Sequence, residues 1–280
     1  MLVELADKAQ PSFKAFGFKF LWTSTWNPVK SVFGAAPLIY GTLVSAAVAL
    51  ILVVPVSIGC AIFLSELAPN WLRTPVSFMV EMLAAIPSVI YGLWGLFVLV
   101  PIVRDPIEKF LGGHFSWIPL FDGPPFGFGL LAAGIMLSIM ILPIVTAVSR
   151  DILLGVPNSQ REAMLALGAT RWEVISRSVI PYARSGIVGA VILGLGRAMG
   201  ETMAVTMVIG NGFKISPSLF QPSQTIASAI ASEFNEATSA IYRGALIEAG
   251  LVLLAISLLV NMLAQLLVAR LVRVQGRIRE

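Results

Sequence analysis

Charge is scarce in this chain. Asp, Glu, Lys and Arg make up 12% of its 280 residues, against about 25% in an average soluble domain. Histidine and cysteine are scarcer still, with His114 and Cys60 each alone of its kind. A single cysteine excludes an internal disulfide framework. One His and one Cys, far apart, leave no ligand set for a built-in zinc site. Cys60 lies in an apolar run, where an inert buried thiol is the expected state. With one His and no clustered carboxylates there is little acid–base machinery for an enzyme. No G-x-x-x-x-G-K-[ST] loop occurs, so the chain has no such cradle for nucleotide phosphates. The net charge of +4 is small and scattered, which argues against nucleic acid as a partner. Alternating strand patterns are absent, which argues against a β-barrel. No inverted repeat of the secondary-transporter kind is visible.

What is plentiful is apolar surface. Hydrophobic residues make up 57% of the chain and the mean hydropathy is +0.88. A soluble fold of this size cannot hide that much, because core volume is limited. The expected solvent is a bilayer. A span needs about 20 mostly apolar residues, and five stretches qualify: Leu38 to Ser65, Val76 to Ile102, Gly127 to Ser149, Ser185 to Gly210 and Gly244 to Ala269. The expectation is an all-α integral membrane protein, with membrane lipid as its first partner. Residues 1–37 form an amphipathic, aromatic segment (Phe13, Phe16, Phe18, Phe20, Trp22, Trp26). Residues 38–269 form the transmembrane domain, and 270–280 a basic tail.

Five crossings put the two ends on opposite sides, and arginine density orients them. Arg73, the 150–184 segment (Arg150, Arg161, Arg171, Arg177, Arg184) and the tail (Arg270, Arg273, Arg277, Arg279) share one face. The opposite face carries Lys8, Lys14, Lys19, Lys30, Arg104, Lys109, Lys214 and Arg243 over longer segments. The denser face is expected to be cytoplasmic, which places the C-terminus inside and residues 1–37 outside. The opening MLVELADKAQ is too short and too acidic for a signal peptide. Two readings of the start stay open: unaided insertion with the N-terminus outside, or a further span upstream of Met1.

The loop between the third and fourth spans, VPNSQREAMLALGATRWEVISRSVIP, carries the most information. Ser159-Gln160-Arg161-Glu162 has the form of a capping box and predicts a helix over 160–167. Gly168 then fits the left-handed position after a helix end. Thr170-Arg171-Trp172-Glu173 is a second box, opening a helix expected to stop before Pro181. Two short helices broken by a glycine predict a compact knob at the membrane surface.

Charges inside the spans need partners. Arg197 and Glu201 fall in the fourth, in GRAMGETMAVTMVIGN. At mid-bilayer each costs about 2.5–3.5 kcal/mol, whereas an i,i+4 pair returns only about 0.2–0.5 kcal/mol. The two should therefore face protein or a water-filled cavity. Gly189, Gly194, Gly196 and Gly200 lie on the same span and are read as packing glycines, Gly196 and Gly200 forming a small-x-x-x-small pair. Glu81, in the second span, either reaches water near the cytoplasmic end or joins the pathway. Pro87 is expected to kink that span, and Glu248 to snorkel to the outer interface.

The loop also resembles the signature of the permease subunits of ABC importers: E-A-A, three residues, G, nine residues, I-x-L-P. Here it reads Glu162-Ala163-Met164, then Gly168, then Ser178-Val179-Ile180-Pro181. Met164, Ser178 and Ile180 depart from the pattern without changing its length. The resemblance implies the type I (MetI-like) importer fold, five of whose spans are visible. It makes the knob a coupling helix, with Glu162, Ala163, Gly168 and Pro181 its motif residues. Within the family, GRAMGETMAVTMVIGN and the outer FLWTSTWNPV at 20–29 look similar to the PstC-type permeases of phosphate-specific importers. That implies a subunit without catalysis of its own, forming half the pathway for inorganic phosphate. Arg197 and Glu201 are then the residues tied to passage. The implied partners are a second, PstA-like permease, two ATP-binding subunits that hold ATP and Mg, and an extracytoplasmic phosphate-binding protein; this chain binds no cofactor. PstC-type chains usually begin with one more span, which favours an upstream span here. Other cargoes (sulfate or molybdate) and an ion-coupled secondary transporter are the competing readings.

Overall fold

A computed structural model describes residues 2–276, with side chains to Leu266. Arg277 and Arg279 of the expected basic tail, and the side chains of Arg270 and Arg273, lie outside the described residues. Helices α1 (Leu2–Phe16) and α2 (Lys19–Trp22) come first, parted at Gly17. Next is α3 (Ala36–Ile62), prolonged by a π-helical turn, Phe63–Leu67. Helix α4 (Asn70–Ala84) is followed by α5 (Ser88–Trp94), which continues through a π turn (Gly95–Leu99), α6 (Val100–Ile102), a second π turn (Val103–Glu108) and α7 (Lys109–Phe115). Then come α8 (Leu130–Leu154), α9 (Asn158–Ala166) and α10 (Arg171–Val174). A π turn (Ile175–Val179) leads into α11 (Ile180–Gly200). The last three are α12 (Met203–Val208), α13 (Ile226–Glu233) and α14 (Ala240–Gly276). The described residues contain no strand, only two isolated bridges, Asn27 with Val32 and Gly210 with Ser223.

Five helical segments among the described residues are long and apolar enough to span a membrane: Ala36–Leu67, Ser88–Phe115, Leu130–Leu154, Arg171–Gly200 and Ala240–Leu266. Two differ from the sequence expectation. The second span begins at Ser88, not Val76. Pro87 does not kink a continuous helix but stands extended (φ −59°, ψ 139°) as the N-cap of α5. Proline pushes the residue before it away from helical geometry, so the apolar run is cut and its first part becomes α4. The fourth span stops at Gly200, and Glu201 and Thr202 separate it from the short α12.

The chain divides into two compact units. The first comprises Met1–Ala49, Pro87–Ser138 and Ala198–Leu258. Its core gathers Phe20, Trp26, Phe33, Leu38, Ile226, Tyr242 and Leu246. Trp26 stacks on Phe213 with centroids 5.6 Å apart, and Phe33 on Tyr242 at 4.9 Å. The aromatic N-terminal segment is thus split: Phe20, Trp26 and Phe33 are core, while Phe18 and Trp22 are exposed. Helix α1 turns Ala9 and Ser12 inward, and Gly244 lets it approach α14, since a Cβ there would meet the Ser12 nitrogen at 3.3 Å. One turn along α14, Glu248 is only 3% exposed, and its Oε2 has no hydrogen-bond partner. It does not snorkel as expected; α1, docked beside it, takes the place of the interface it would have reached.

A half-buried carboxylate ties this core together. Trp26 Nε1 and Tyr242 Oη both donate to Glu233 Oε2 at 2.7 Å. Burial pushes the Glu233 carboxyl above the ordinary carboxylate range, and the two donors only partly oppose it. An acid whose folded value is raised adds stability that is complete below its unfolded pKa and is lost as pH rises through the folded one. The melting temperature of the detergent-solubilised complex should therefore fall as pH climbs above the carboxylate range. Glu233→Gln should flatten that slope, because one amide oxygen can accept both donors without carrying charge. Equal slopes in parent and variant would contradict this account.

The second unit comprises Leu50–Ile86, Ile139–Arg197 and Leu259–Glu280. Its core packs Ala61, Leu153, Val156, Val174, Val179, Ala183 and Ile187, with Met164 and Ala169 of the knob against it. Helices α8 and α11 approach closely where glycine permits. A Cβ at Gly186 would overlap Ile152, and one at Gly194 would overlap Val145. The Gly196/Gly200 pair expected to serve packing does not do so within this chain, for a Cβ at Gly189, Gly196 or Gly200 would meet nothing within 4 Å.

Candidate functional site

The knob forms much as local chemistry dictates, with two differences. Gly168 has φ +83°. Its N–H donates to the Leu165 carbonyl at 2.9 Å and the Ala169 N–H to Met164 at 3.1 Å, the paired bonds of a Schellman motif. The Thr170 box closes: Glu173 N–H donates to Thr170 Oγ1 and Thr170 N–H to the Glu173 carboxylate. The Ser159 box does not form. Pro157 is the N-cap of α9 without a side-chain cap, so Ser159 is already inside the helix. The second knob helix also does not stop before Pro181. The π turn Ile175–Val179 widens the ladder and runs without a break into α11 at Ile180, so Pro181 lies inside the continuous helical segment Arg171–Gly200, directly after the widened turn.

Glu162 and Ala163 are exposed on the knob. With them stand Leu165, Leu167 and Trp172, the second of which is 83% exposed. Apolar side chains grouped on a surface mark an interaction site. Arg161, read in the sequence as part of a box and of the arginine-dense face, joins the knob to other helices. It holds Glu66 through Nη2 to Oε1 at 2.7 Å and Nε to Oε2 at 3.2 Å. It also donates to the Leu153 carbonyl at 2.9 Å and to the Val156 carbonyl.

The second feature is a cavity of about 660 Å³ in the second unit. Arg197, Asn261 and Gln265 are its polar lining, with Gly189 and Gly196 among the rest. Gly189 and Gly196, two of the glycines that meet nothing, thus leave this space open. Arg197 occupies the last turn of α11, where the helix dipole favours a cation by about 0.3–1 kcal/mol. It takes part in none of the ion pairs found among the described residues. Glu201 lies beyond the helix end, and its Oε1 accepts from the Ala204 N–H at 3.4 Å, in the first turn of α12. Each charge thus complements the helix terminus beside it. Broken helices at membrane depth are tolerated where they are buried in protein or line a water-filled cavity. Glu81 is not in the cavity lining. It sits on α4 and pairs with Nη2 of Arg150 at 3.1 Å. Asn261 and Gln265 were missed by sequence reasoning; the available signal was two amides one turn apart in an otherwise apolar span. Among the described residues no group of His, Cys, Asp and Glu could hold a metal.

The described residues thus set five helices long enough to span a membrane and a glycine-broken surface knob between the third and the fourth. Residues 53–273 match the family of binding-protein-dependent transport system inner membrane components, and the chain belongs to it. Among individual relatives, a phosphate transport system permease protein PstC of Pasteurella multocida is 52% identical over 99% of this chain and 88% of its own length. The PstC of Haemophilus influenzae is 48% identical over 99% and 89%. A probable PstC of Methanocaldococcus jannaschii is 42% identical over 91% and 82%. Among solved structures, a bacterial ABC transporter that imports the acidic polysaccharide alginate superposes with a TM-score of 0.64 over 96% of this chain and 90% of that one, at 18% identity. The inward-facing MetNI methionine transporter gives 0.58 over 82% and 91%, also at 18%. These structures establish the fold, that of ABC importer transmembrane subunits.

Proposed function

We infer that this chain is one of the two permease subunits of an ATP-driven importer, and that its cargo is inorganic phosphate. The observation that carries the reading is near-full-length identity of 52% to a relative named as a phosphate permease. The knob is the docking element for an ATP-binding subunit, presenting Glu162, Ala163 and the exposed Leu165, Leu167 and Trp172. ATP and Mg belong to that partner, and this chain supplies the pathway without catalysing a reaction. A second, PstA-like permease completes the pathway, and a phosphate-binding protein delivers cargo on the outer face. The knob and the C-terminus face the cytoplasm, on the arginine density of that side.

Arg197 offers phosphate a planar cationic fork, and Asn261 and Gln265 offer neutral amide donors in the same cavity. Neutral donors beside one cation hold an anion loosely enough to release it, which a pathway must do. Glu201, in the break between α11 and α12, limits the net positive charge along the route. Glu81 joins the route only if its pairing with Arg150 opens.

Reconstitution tests the reading. This chain, its partner permease, the ATPase and the binding protein, placed together in liposomes, should take up radiolabelled phosphate only with ATP. Excess sulfate or molybdate should not compete. Competition by either would move the cargo to another anion. Uptake driven by an ion gradient without the ATPase would replace the importer reading with a secondary transporter.

A further inference from the structure

At the knob end of the second unit, polar contacts join helices far apart in sequence. Arg161 on α9 grips Glu66 with two nitrogens on two oxygens, across 95 positions of sequence. Both side chains are largely withdrawn from solvent, at 18% and 11% exposure. Such paired, planar contacts fix direction as well as distance. Glu66 lies in the π turn that ends the first span, where the Ala68 N–H reaches back to Phe63. The extra residue of a π turn shifts helical register by about 100°, so the aim of Glu66 depends on it. Arg73 of α4 donates to the Ser65 carbonyl of the same turn at 2.9 Å. Arg150 at the end of α8 reaches back to Glu81 of α4. Arg161 also holds the Leu153 carbonyl near the end of α8 and the Val156 carbonyl just beyond it.

We propose that the Glu66–Arg161 pair is a strut through which the knob moves the first span directly, in addition to the third and fourth spans that the knob joins covalently. Without it, α9 and the end of α3 still share an apolar cluster that holds Ala61, Ile58 and Ile62 together with Leu153 and Met164, and such packing can slide. With it, α9 and the end of α3 move as one body. The inference rests on the reading of the knob as the ATPase-docking element. Glu66 and Arg161 are positioning residues; neither is assigned a contact with cargo or nucleotide.

The test uses the complete reconstituted transporter and reads phosphate imported per ATP hydrolysed. Glu66→Ala removes the strut while leaving the Arg161 contacts to the Leu153 and Val156 carbonyls intact. It should lower that ratio about fivefold or more, the low end of typical coupling between sites. The ATPase subunits should stay bound and the melting temperature of the complex should hold. Glu66→Asp, which keeps the charge at shorter reach, should recover part of the ratio. A normal ratio in Glu66→Ala overturns the strut, as does a loss of uptake explained entirely by fewer assembled complexes. Leu167→Arg tests the underlying reading separately. It alters the exposed face of the knob and should strip the ATPase subunits from the complex. If they remain bound, the docking reading fails, whatever Glu66→Ala shows.

Discussion

Gly168→Val is expected to insert and assemble normally yet spend ATP with little import. The phosphate carried per ATP should fall about tenfold, within the usual range for coupling between sites. The reason is confined to the backbone. Gly168 holds φ +83°, a region costing a β-branched residue about 1–3 kcal/mol. A Cβ at this position would meet nothing within 4 Å, so no clash with the rest of the chain confuses the result. The strain can be relieved by giving up the two bonds that close α9, Gly168 to Leu165 and Ala169 to Met164. Either way, α9 and α10 change their mutual angle, and the surface formed by Glu162, Leu167 and Trp172 is re-aimed. Gly168→Asn is the control, since Asn enters the left-handed region readily, and it should retain most of the ratio. If reconstituted Gly168→Val imports at the normal rate per ATP, the knob does not carry the coupling.

Much of this was legible in the sequence because the signals are local. Apolar runs give the spans by length alone. Gly168 and the Thr170–Glu173 box are read within a few residues, and both appear with the expected geometry. Errors arose where hydropathy is blind to backbone geometry. The run from Val76 to Ile102 is continuous in composition, yet Pro87 divides it. Ser159 matched a capping pattern, but Pro157 had already started the helix. Gly189, Gly194, Gly196 and Gly200 were all assigned to packing, yet within this chain only Gly194 of the four is tightly approached, together with Gly186. Which glycine meets a neighbour depends on α8, and no spacing within α11 encodes that. The same limit hid the Glu66–Arg161 pair and the Asn261–Gln265 face of the cavity. Each joins distant parts of the chain, and neither has a local mark beyond a polar residue in an apolar setting.

Arg197→Gln should reduce phosphate uptake per assembled complex by about 10- to 150-fold, the equivalent of about 1.5–3 kcal/mol for a hydrogen bond to a charged group. Arg197 stands at the end of α11 with no ion pair among the described residues, beside a cavity of about 660 Å³. A guanidinium within a span costs about 2.5–3.5 kcal/mol, and the helix terminus returns about 0.3–1 kcal/mol. On the pathway account the remainder comes from water, or from an anion, in the cavity. Glu201 does not supply it along the helix, because α11 ends at Gly200 and the carboxylate turns to the Ala204 N–H of α12. Removing the cation should therefore leave the fold intact, or more stable, while cargo loses its one charged contact in the cavity. Arg197→Lys should recover little, since an ammonium lacks the planar fork that meets two phosphate oxygens at once. The opposing account makes Arg197 an anchor to the partner permease. On that account Arg197→Gln would lower complex yield or melting temperature, and the surviving complexes would transport normally. Uptake per complex in proteoliposomes, measured alongside yield, separates the two, and near-normal uptake by Arg197→Gln removes this residue from the pathway.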